Sequence, residues 1–365
     1  MDRRGLAKIL DGPPFWLIPL LFALSLLYGA VSAFNRMIFR RRLRRIRRLP
    51  RPVVSVGNIA VGGGGKTPLV IWLASRLRKR GIRVAVLTRG YGSFKEGKKG
   101  AISELHDSIG PGALRAGDEP TLMSQKLEDV PIYVCADRYR AGLYAIGRRE
   151  IDLFLLDDGF QHFALHRDLD VVVIDDHRRL GNGTLIPSGI LREPATRLRD
   201  ADFIVVTKAG AIDEKFTGSL KEMTDAPISW ANYVPVGLIH PGEDRVLNVR
   251  DLESTHFLAF SGIANPRSFE LSLRELPLIV VDHVRFRDHH RYSSHEVNFL
   301  SERAEKMGAR ALLTTEKDLV RWPSRRPTIP CYALAMDAVF LSGEDILIDR
   351  VISLVGERAG GAGDG

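Results

Sequence analysis

Cysteine is nearly absent from this chain of 365 residues, which contains only Cys135 and Cys331. Two residues so far apart supply neither a disulfide framework nor a four-thiolate metal site. We therefore interpret both as small, buried, apolar side chains in a reducing compartment. With 45% hydrophobic and 27% charged residues, the composition excludes disordered and collagen-like chains, and the length is enough for two ordinary domains.

Acidic residues are missing from one short segment, which accounts for the basic character of the chain. Residues 36–51 contain nine arginines and no Asp or Glu, and the formal net charge of the chain is +9. Beyond residue 51 there are 41 basic and 42 acidic side chains, so the body is almost neutral. Nucleic-acid binding needs a basic face on the folded part, and this balance argues against nucleic acid as a partner.

Charge of either sign is missing from residues 12–35, which we interpret as a membrane anchor helix, with full crossing and partial insertion in one leaflet both left open. At about 1.5 Å per residue such a helix is about 36 Å long, enough to cross a hydrocarbon core of about 30 Å. Pro19 lies near its start, where it kinks a helix without preventing one. The length and the arginines that follow disfavour a cleaved signal peptide, and apolar residues on every face disfavour a buried soluble helix.

The arginine-rich juxtamembrane segment, residues 36–51, predicts how the chain is oriented. Its nine arginines outweigh the three basic residues before the span, which places a single anchor with the body in the cytoplasm. The same arginines suit a membrane with anionic lipids, beside interfacial apolar side chains such as Phe39 and Leu43. Two interpretations stay open, a topology signal alone and specific binding of an acidic lipid.

After Pro50, short apolar runs alternate with helical stretches, which is typical of an α/β fold with a parallel sheet covered on both faces. We predict a nucleotide-binding domain over residues 52–235, a smaller α/β domain over 236–355 and a flexible tail over 356–365. The boundary is placed near 230–238, where Pro235 and Gly237 interrupt the periodicity. The predicted strands are 53–56, 83–88, 132–135, 153–156, 171–175, 203–207, 256–260, 279–281 and 311–314, and the predicted helices include 67–80 and 294–307.

The strongest local signal is a glycine run between predicted strand 53–56 and predicted helix 67–80. The run consists of Gly62, Gly63, Gly64 and Gly65, followed by Lys66 and Thr67. Backbone N–H groups of successive glycines curl around phosphate oxygens without side-chain clashes. Lys66 would reach the β and γ phosphates and the Thr67 hydroxyl would bind Mg²⁺, so the segment predicts a P-loop site for ATP.

This loop lacks two residues that other P-loops carry. Ala60 replaces the first glycine of the G-x-x-x-x-G-K-[ST] pattern. Val61 stands where dimer-activated ATPases of the partition and metal-chaperone type carry a lysine. A glycine-rich turn without a ligand is the alternative, and the coincidence of strand, glycines, Lys-Thr and helix disfavours it.

Pairs of carboxylates end two of the predicted strands. Asp157 and Asp158 end strand 153–156, where ligands of open α/β sheets gather, and they are our candidate Mg²⁺ ligands. Asp175 and Asp176 end another strand and stay open as the rival metal site. His162 closely follows the first pair, and its role is either catalytic or structural.

Two further polar segments lie outside these strands. Asp118 precedes a predicted helix, where it needs no function beyond that of an N-cap. His289 and His290 lie in the second domain, and neighbouring side chains of a strand point to opposite faces, so at most one enters a cleft. No Cys/His spacing typical of zinc accompanies them, which disfavours a zinc site.

In their order and combination these motifs resemble the tetraacyldisaccharide 4′-kinase family of lipid A biosynthesis, over nearly the whole chain. The segments that carry the resemblance are 55–58 with 62–68, 89–92, 117–120, 157–162, 187–189 with 191–194, 286–289 and 315–318. Each segment is short, and their joint occurrence makes the resemblance specific.

The resemblance implies a bacterial inner-membrane enzyme that transfers the γ-phosphoryl group of ATP to the 4′-hydroxyl of an acylated disaccharide phosphate lipid. It implies Asp118 as the catalytic base with His289 as its partner, Asp157 and Asp158 near Mg²⁺, and Arg192 and Glu193 in the active site. No obligate protein partner is expected. The sequence departs from the family at Gly64, where Thr, Ser or Asn is expected, so a side-chain contact to phosphate is lost.

The alternative function is a membrane-tethered P-loop NTPase switch that acts on a protein partner. It predicts nucleotide turnover without a lipid acceptor, and two nucleotide-dependent conformations. Val61 and the lack of a base-reading Asn-Lys-x-Asp sequence count against its familiar forms, although Thr207-Lys208 resembles that sequence weakly. A non-catalytic lipid-binding scaffold is disfavoured by the joint presence of a phosphate loop and strand-end carboxylates.

Overall fold

One β-sheet runs through the body of the protein in the computed structural model, which describes residues 15–41, 43–90, 102–105, 117–241, 246–323 and 327–360. Thirteen strands of these residues join it. They are β1 (Val53–Gly57), β2 (Val84–Thr88), β3 (Ser103–Leu105), β4 (Ile132–Val134), β5 (Leu153–Asp157), β6 (Leu169–Asp175), β7 (Phe203–Thr207), β8 (Ile228–Ile239), β9 (Val246–Leu247), β10 (His256–Ser261), β11 (Ile279–Arg285), β12 (Ala311–Thr315) and β13 (Cys331–Ser342). The predicted α/β class and every predicted strand are present.

Nine α-helices of the described residues surround this sheet. They are α1 (Ile18–Arg40), α2 (Lys66–Lys79), α3 (Asp118–Lys126), α4 (Arg138–Ile146), α5 (Glu214–Lys221), α6 (Pro266–Arg274), α7 (Ser294–Lys306), α8 (Glu316–Val320) and α9 (Glu344–Gly360). Short 3₁₀ turns occupy Phe15–Leu17, Ala195–Asp200 and Val249–Leu252. The predicted helices 67–80 and 294–307 correspond to α2 and α7.

The strand order explains why the apolar runs of the first half are continuous rather than alternating. The sheet runs β11-β10-β12-β13-β8-β7-β6-β1-β5-β2-β4-β3, with β9 paired to β8. Strand β1 lies in the middle of the first half, parallel to β5 and β6, and all five of its residues are buried. Because both faces of a parallel sheet are covered, such a strand contains apolar residues at successive positions. The carboxyl ends of β1 and β5 therefore lie side by side.

The two halves of the sheet meet at β8 and β13, which are antiparallel. Strand β8 continues through the boundary predicted near 230–238. Pro235 and Gly237 are accommodated by a shift in register opposite Ala335 and Met336. The interruption of periodicity is therefore a bulge inside one long strand, and the division into domains 52–235 and 236–355 stays a prediction.

Helix α1 is the predicted anchor, and in the described part of the chain it alone is long and apolar enough to cross a membrane, with a mean hydropathy of 1.7. Large apolar side chains are exposed along it, among them Phe22, Leu26, Leu27 and Phe34. Residues 12–14 of the predicted span lie outside the described residues. In a membrane, the lipid tails would cover these exposed apolar side chains, as expected for an anchor helix.

Two smaller expectations are also addressed by the structure. Cys135 and Cys331 are both buried and free of disulfides, as predicted. Helix α9 continues to Gly360, so residues 356–360 of the predicted flexible tail are helical, and residues 361–365 lie outside the described residues. The apolar pattern extends through Leu354 and Val355, which pack against the core and support this last helix.

Candidate active site at the carboxyl edge of the sheet

The phosphate loop joins β1 to α2, and its last glycine has a backbone that other residues rarely adopt. Gly65 has φ of +82° and occupies the N-cap position of α2. The Tyr233 hydroxyl of β8 donates a hydrogen bond of 2.6 Å to the Gly65 carbonyl. A Cβ atom at position 65 would lie 2.6 Å from the Tyr233 ring. Both the left-handed conformation and this close approach therefore require glycine.

Side chains that follow β7 hold the middle of the loop by its carbonyls. Thr207 Oγ1 donates to the Gly64 carbonyl at 2.8 Å, and Lys208 Nζ donates to the Gly63 carbonyl at 2.7 Å. Lys208 Nζ also lies 2.6 Å from Asp175 Oδ2. The segment Thr207-Lys208 thus supports the loop. Asp175, the rival metal ligand, is therefore engaged in an ion pair with the lysine that supports the loop.

The turn after β5 packs directly on the end of β1. Gln161 Nε2 donates to the Asn58 carbonyl at 2.7 Å. A Cβ atom at Gly57 would lie 2.5 Å from Phe160 Cβ, so this position has no room for a side chain. This contact brings Asp158 to Lys66, with 3.2 Å between Asp158 Oδ1 and Lys66 Nζ. The structure therefore joins the predicted loop and the predicted acidic pair in one site.

Asp157 and Asp158 have opposite electrostatic surroundings. Asp157 is buried, and burial together with Glu119 and Asp158 raises its pKa to about 7. Asp158 has φ of +51° and lies 3.2 Å from an Arg192 guanidinium nitrogen. Burial raises its pKa, but the charges of Lys66 and Arg192 more than offset this, so the pKa of Asp158 lies below its ordinary value.

The oxygen atoms next to the loop suit Mg²⁺. Asp157 Oδ2 accepts a hydrogen bond from Thr88, whereas its Oδ1 is buried and has no hydrogen-bond partner within the described residues. Thr67 is buried in the first turn of α2. The described residues contain no cluster of three or more His, Cys, Asp or Glu that could hold a metal alone. Mg²⁺ prefers oxygen ligands and is commonly bound by one or two carboxylates plus substrate phosphates, so the donor set fits.

Asp118 and His289 come from distant parts of the chain and meet in the structure. Asp118 is the first residue of α3, Gly117 takes the N-cap position, and no side chain caps the helix. The N-cap interpretation of Asp118 is therefore wrong, and its carboxylate is available for other contacts. His289, with φ of +57°, brings Nδ1 to 3.0 Å from Asp118 Oδ2. The predicted pair is thus assembled.

A third side chain, Arg321, belongs to this pair and was not predicted from the sequence. Its Nε donates to Asp118 Oδ2 at 2.8 Å. Burial raises the pKa of Asp118, but the His289 hydrogen bond and the Arg321 charge outweigh burial and lower it. The sequence feature that could have indicated Arg321 was Asp318, which lies in the segment 315–318, one helical turn before it. Tyr233 and Lys208, which hold the phosphate loop, were also missed, since nothing in their local sequence indicates their partners.

Arg192 and Glu193 have different roles although they are neighbours. Arg192 contacts Asp158, whereas Glu193 is buried and forms an ion pair with Arg36 of the anchor helix. Ser32 Oγ lies 3.3 Å from Glu193 Oε1. Burial raises the pKa of Glu193. Glu193 therefore attaches α1 to the segment that carries Arg192.

The same face of α1 makes further contacts with the body. Ser25 Oγ donates to the Leu185 carbonyl at 2.8 Å and accepts from the Ser188 backbone N–H at 2.9 Å. A Cβ atom at Gly29 would lie 2.8 Å from Leu185. Positions 25, 29, 32 and 36 recur on one helix face, so the anchor is packed on the body along this stripe.

His162 is separate from the Asp118–His289 pair. Burial, together with the charges of Arg138 and Arg167, lowers the pKa of His162 to about 4. Within the described ranges no hydrogen bond or ion pair joins it to Asp118 or His289. A neutral histidine among arginines favours the structural role.

Similarity to known proteins agrees with this geometry. A family model described as tetraacyldisaccharide-1-P 4′-kinase matches residues 17–355. A tetraacyldisaccharide 4′-kinase from Geobacter sulfurreducens is 39% identical over 314 residues, which are 85% of this chain and 86% of that protein. Another from Syntrophus aciditrophicus is 37% identical over 345 residues, 92% of this chain and 90% of that protein.

A solved structure is similar over nearly the whole chain. It is a crystal structure of LpxK from Aquifex aeolicus in complex with ATP, with 29% sequence identity and a TM-score of 0.75. The match covers 93% of this chain and 99% of that chain. From the family model, the identities and the fold together, this chain belongs to the tetraacyldisaccharide 4′-kinase family.

Proposed function

We propose that this chain transfers the γ-phosphoryl group of ATP to the 4′-hydroxyl of a tetraacyldisaccharide 1-phosphate, with Asp118 as the base. The observation that carries the proposal is the meeting of the phosphate loop with the acidic pair, where Lys66 contacts Asp158, in a chain of this kinase family. Helix α3, which begins at Asp118, packs on α2, which begins at Lys66. We infer that the Asp118 carboxylate faces the place where the γ-phosphate would be bound.

Binding of ATP relies on the positive charges next to the glycines. Asp158 pairs with both Lys66 and Arg192. Phosphate oxygens would replace part of this pairing, and the two cations would then stabilise the negative charge of the transferring group. Thr67 and Asp157 would hold Mg²⁺, which would supply positive charge to offset the negative charge that develops on the transferring group.

Asp118 accepts the proton of the attacking hydroxyl. A loose transition state for phosphoryl transfer needs only a weak base, because the hydroxyl proton becomes acidic late in the reaction. A carboxylate within hydrogen-bond reach meets this need. His289 orients Asp118 through the contact at Oδ2.

The anchor places this chemistry at the membrane surface. The acyl chains of the substrate stay in the bilayer beside α1, while the sugar reaches the phosphate loop. Arg41, Arg44, Arg45, Arg47 and Arg48 are exposed after the helix and suit anionic headgroups. Because basic residues are more numerous after the helix than before it, the body faces the cytoplasm at a bacterial inner membrane.

The test uses detergent-solubilised protein with γ-labelled ATP, Mg²⁺ and tetraacyldisaccharide 1-phosphate, beside the same mixture without lipid. We expect label on the lipid, with the new phosphate located on the 4′ carbon by NMR of the product. Label released only as inorganic phosphate, at one rate with and without lipid, would refute the lipid kinase and favour the NTPase switch. Label at another hydroxyl would refute the assigned acceptor.

A further inference from the structure

Arg321 is much more deeply buried than His289, the other side chain that contacts Asp118. Its side chain is 2% exposed, whereas that of His289 is 59% exposed. Two nitrogens of its guanidinium group donate to fixed acceptors: Nε to Asp118 Oδ2 at 2.8 Å and NH1 to the Gly262 carbonyl at 2.9 Å. NH2 lies 3.2 Å from His289 Nδ1, the atom that meets Asp118. A planar guanidinium held at two of its nitrogens has little freedom to rotate.

The buried carboxylate of Asp318 contacts the Arg321 guanidinium group and helps to fix its position. Asp318 is fully buried, and its Oδ1 lies 3.4 Å from Arg321 NH1. The same oxygen accepts from the Gly262 N–H at 3.0 Å and from the Tyr292 hydroxyl at 3.1 Å, and Oδ2 accepts from Thr315 at 2.7 Å. Asp318 is thus held by three donors besides the arginine. The position of the guanidinium follows from this network, without any contribution from Asp118.

The helices that carry the two residues are joined at their other ends as well. Helix α8 packs on α3, and Arg321 follows α8 directly while Asp118 begins α3. At the far end, Lys126 Nζ lies 2.8 Å from Glu316 Oε1 and donates to the Met336 carbonyl at 2.7 Å. This second attachment keeps α3 from turning on α8, so the Arg321–Asp118 contact has a defined geometry.

Among the described residues, the contacts of the Asp118 carboxylate are confined to one of its two oxygens. Both Arg321 and His289 meet Oδ2, and no described residue donates a hydrogen bond to Asp118 Oδ1. We propose that Arg321 is a positioning residue that holds Oδ2 and presents Oδ1 to the acceptor hydroxyl of the lipid. This inference rests on the proposed role of Asp118 as the base, and it assigns to Arg321 the orientation of that base.

The charge of Arg321 also sets when Asp118 is ionised. The charged and titratable groups of the described residues around Asp118 are His289, Arg321 with Asp318 behind it, and Glu119, which lies 3.6 Å from Lys317. Asp288 Oδ2 lies 3.8 Å from the other ring nitrogen of His289. Without the guanidinium, burial of Asp118 is offset by His289 alone, so its pKa rises. Since the ionised carboxylate is the active form, the acidic limb of the kcat–pH profile moves to higher pH.

The experiment compares Arg321→Met and Arg321→Lys in the full chain, in detergent, with ATP and the lipid acceptor. For Arg321→Met we expect kcat to fall at least tenfold and the acidic limb to move up by about one pH unit or more, with KM for ATP within twofold. For Arg321→Lys, which keeps the charge but not the paired donations from Nε and NH1, we expect a loss of kcat and an acidic limb close to that of the wild type. Arg303→Met, which removes an arginine paired with Asp282 elsewhere, is the matched control and should leave all three quantities unchanged.

If the acidic limb of the kcat–pH profile does not move in Arg321→Met, the residue has only a structural role. If Arg321→Lys keeps full activity, only the charge of the residue matters. Either result overturns the positioning role. If Arg321→Met does not fold, Asp318→Asn serves instead, since it keeps the guanidinium but weakens its support, and kcat should fall with KM for ATP unchanged. Asp118→Asn is measured alongside: its retained activity would refute the base itself, whatever the Arg321 variants show.

Discussion

Arg36 is expected to fasten the anchor helix to the active-site segment through its ion pair with Glu193. The two side chains are 16% and 3% exposed, so the pair is largely shielded from water. The perturbation is Arg36→Leu, which keeps an apolar stem and leaves the Glu193 carboxylate buried without its main cation. Removing one partner of a buried pair costs about 3–5 kcal/mol. Arg197 Nε stays 3.8 Å from Glu193, which places the expected cost near the lower end, at about 3 kcal/mol.

The assay reports undocking of α1 rather than global unfolding. Ser25, 3% exposed on the docked face, is replaced by cysteine in both backgrounds, and both native cysteines are buried and react slowly. Labelling by a membrane-permeant maleimide then measures how often the helix leaves the body. A cost of about 3 kcal/mol raises the undocked fraction by about 10²-fold, and the labelling rate should rise in proportion.

The control is Arg45→Leu, which removes the same charge from an exposed arginine of the same segment. Glu193→Gln in the Arg36→Leu background replaces the unpaired carboxylate by a neutral amide, and we expect the labelling rate to fall part of the way back. Equal labelling rates for Arg36→Leu and Arg45→Leu would refute the reasoning, because the arginine would then act only through lipid headgroups.

Three shorter predictions follow from the same structure. Gly65→Ala places a Cβ against Tyr233 and strains a left-handed residue by about 1–2 kcal/mol, so isothermal titration should show weaker ATP binding. Gly64→Ser meets only an ordinary contact of 3.4 Å with Asn58, so the melting temperature should be unchanged and ATP binding equal or tighter. His162 has a folded-state pKa of about 4, so its stabilising contribution, roughly 3 kcal/mol, is present above pH 6.5 and is lost as the pH falls to 4. His162→Gln should therefore show a shallower loss of unfolding free energy between pH 6.5 and 4, and an unchanged slope would contradict the assigned pKa.

The parts of the site that the sequence predicts are those formed by residues close together in the chain. The phosphate loop and Asp157–Asp158 follow apolar runs that form central strands, and the carboxyl ends of adjacent parallel strands meet at one edge. Pairing of Asp118 with His289 came from resemblance, because no local pattern connects residues so far apart. Arg321 was missed for the same reason, since its partner lies in the other half of the chain.

For the anchor, too, the sequence predicts the properties of consecutive residues but does not predict the tertiary contacts. Its length and its arginines predicted a membrane helix, and both are properties of consecutive residues. The buried ion pair of Arg36 with Glu193, in contrast to the exposed pairs of Arg47 and Arg48, depends on how α1 packs against the body. Likewise, Pro235 and Gly237 indicated a boundary by their local preferences, whereas pairing with β13 carries the strand through them.

The central claim is that Lys66 and its loop bind ATP while Asp118 serves only the transfer step. The most direct measurement pairs ATP affinity with single-turnover phosphoryl transfer to the lipid in Asp118→Asn and Lys66→Ala. The account predicts that Asp118→Asn binds ATP like the wild type but transfers at least 10²-fold more slowly. Lys66→Ala should instead lose both ATP affinity and transfer. Transfer by Asp118→Asn at the wild-type rate, with ATP bound, would contradict the account.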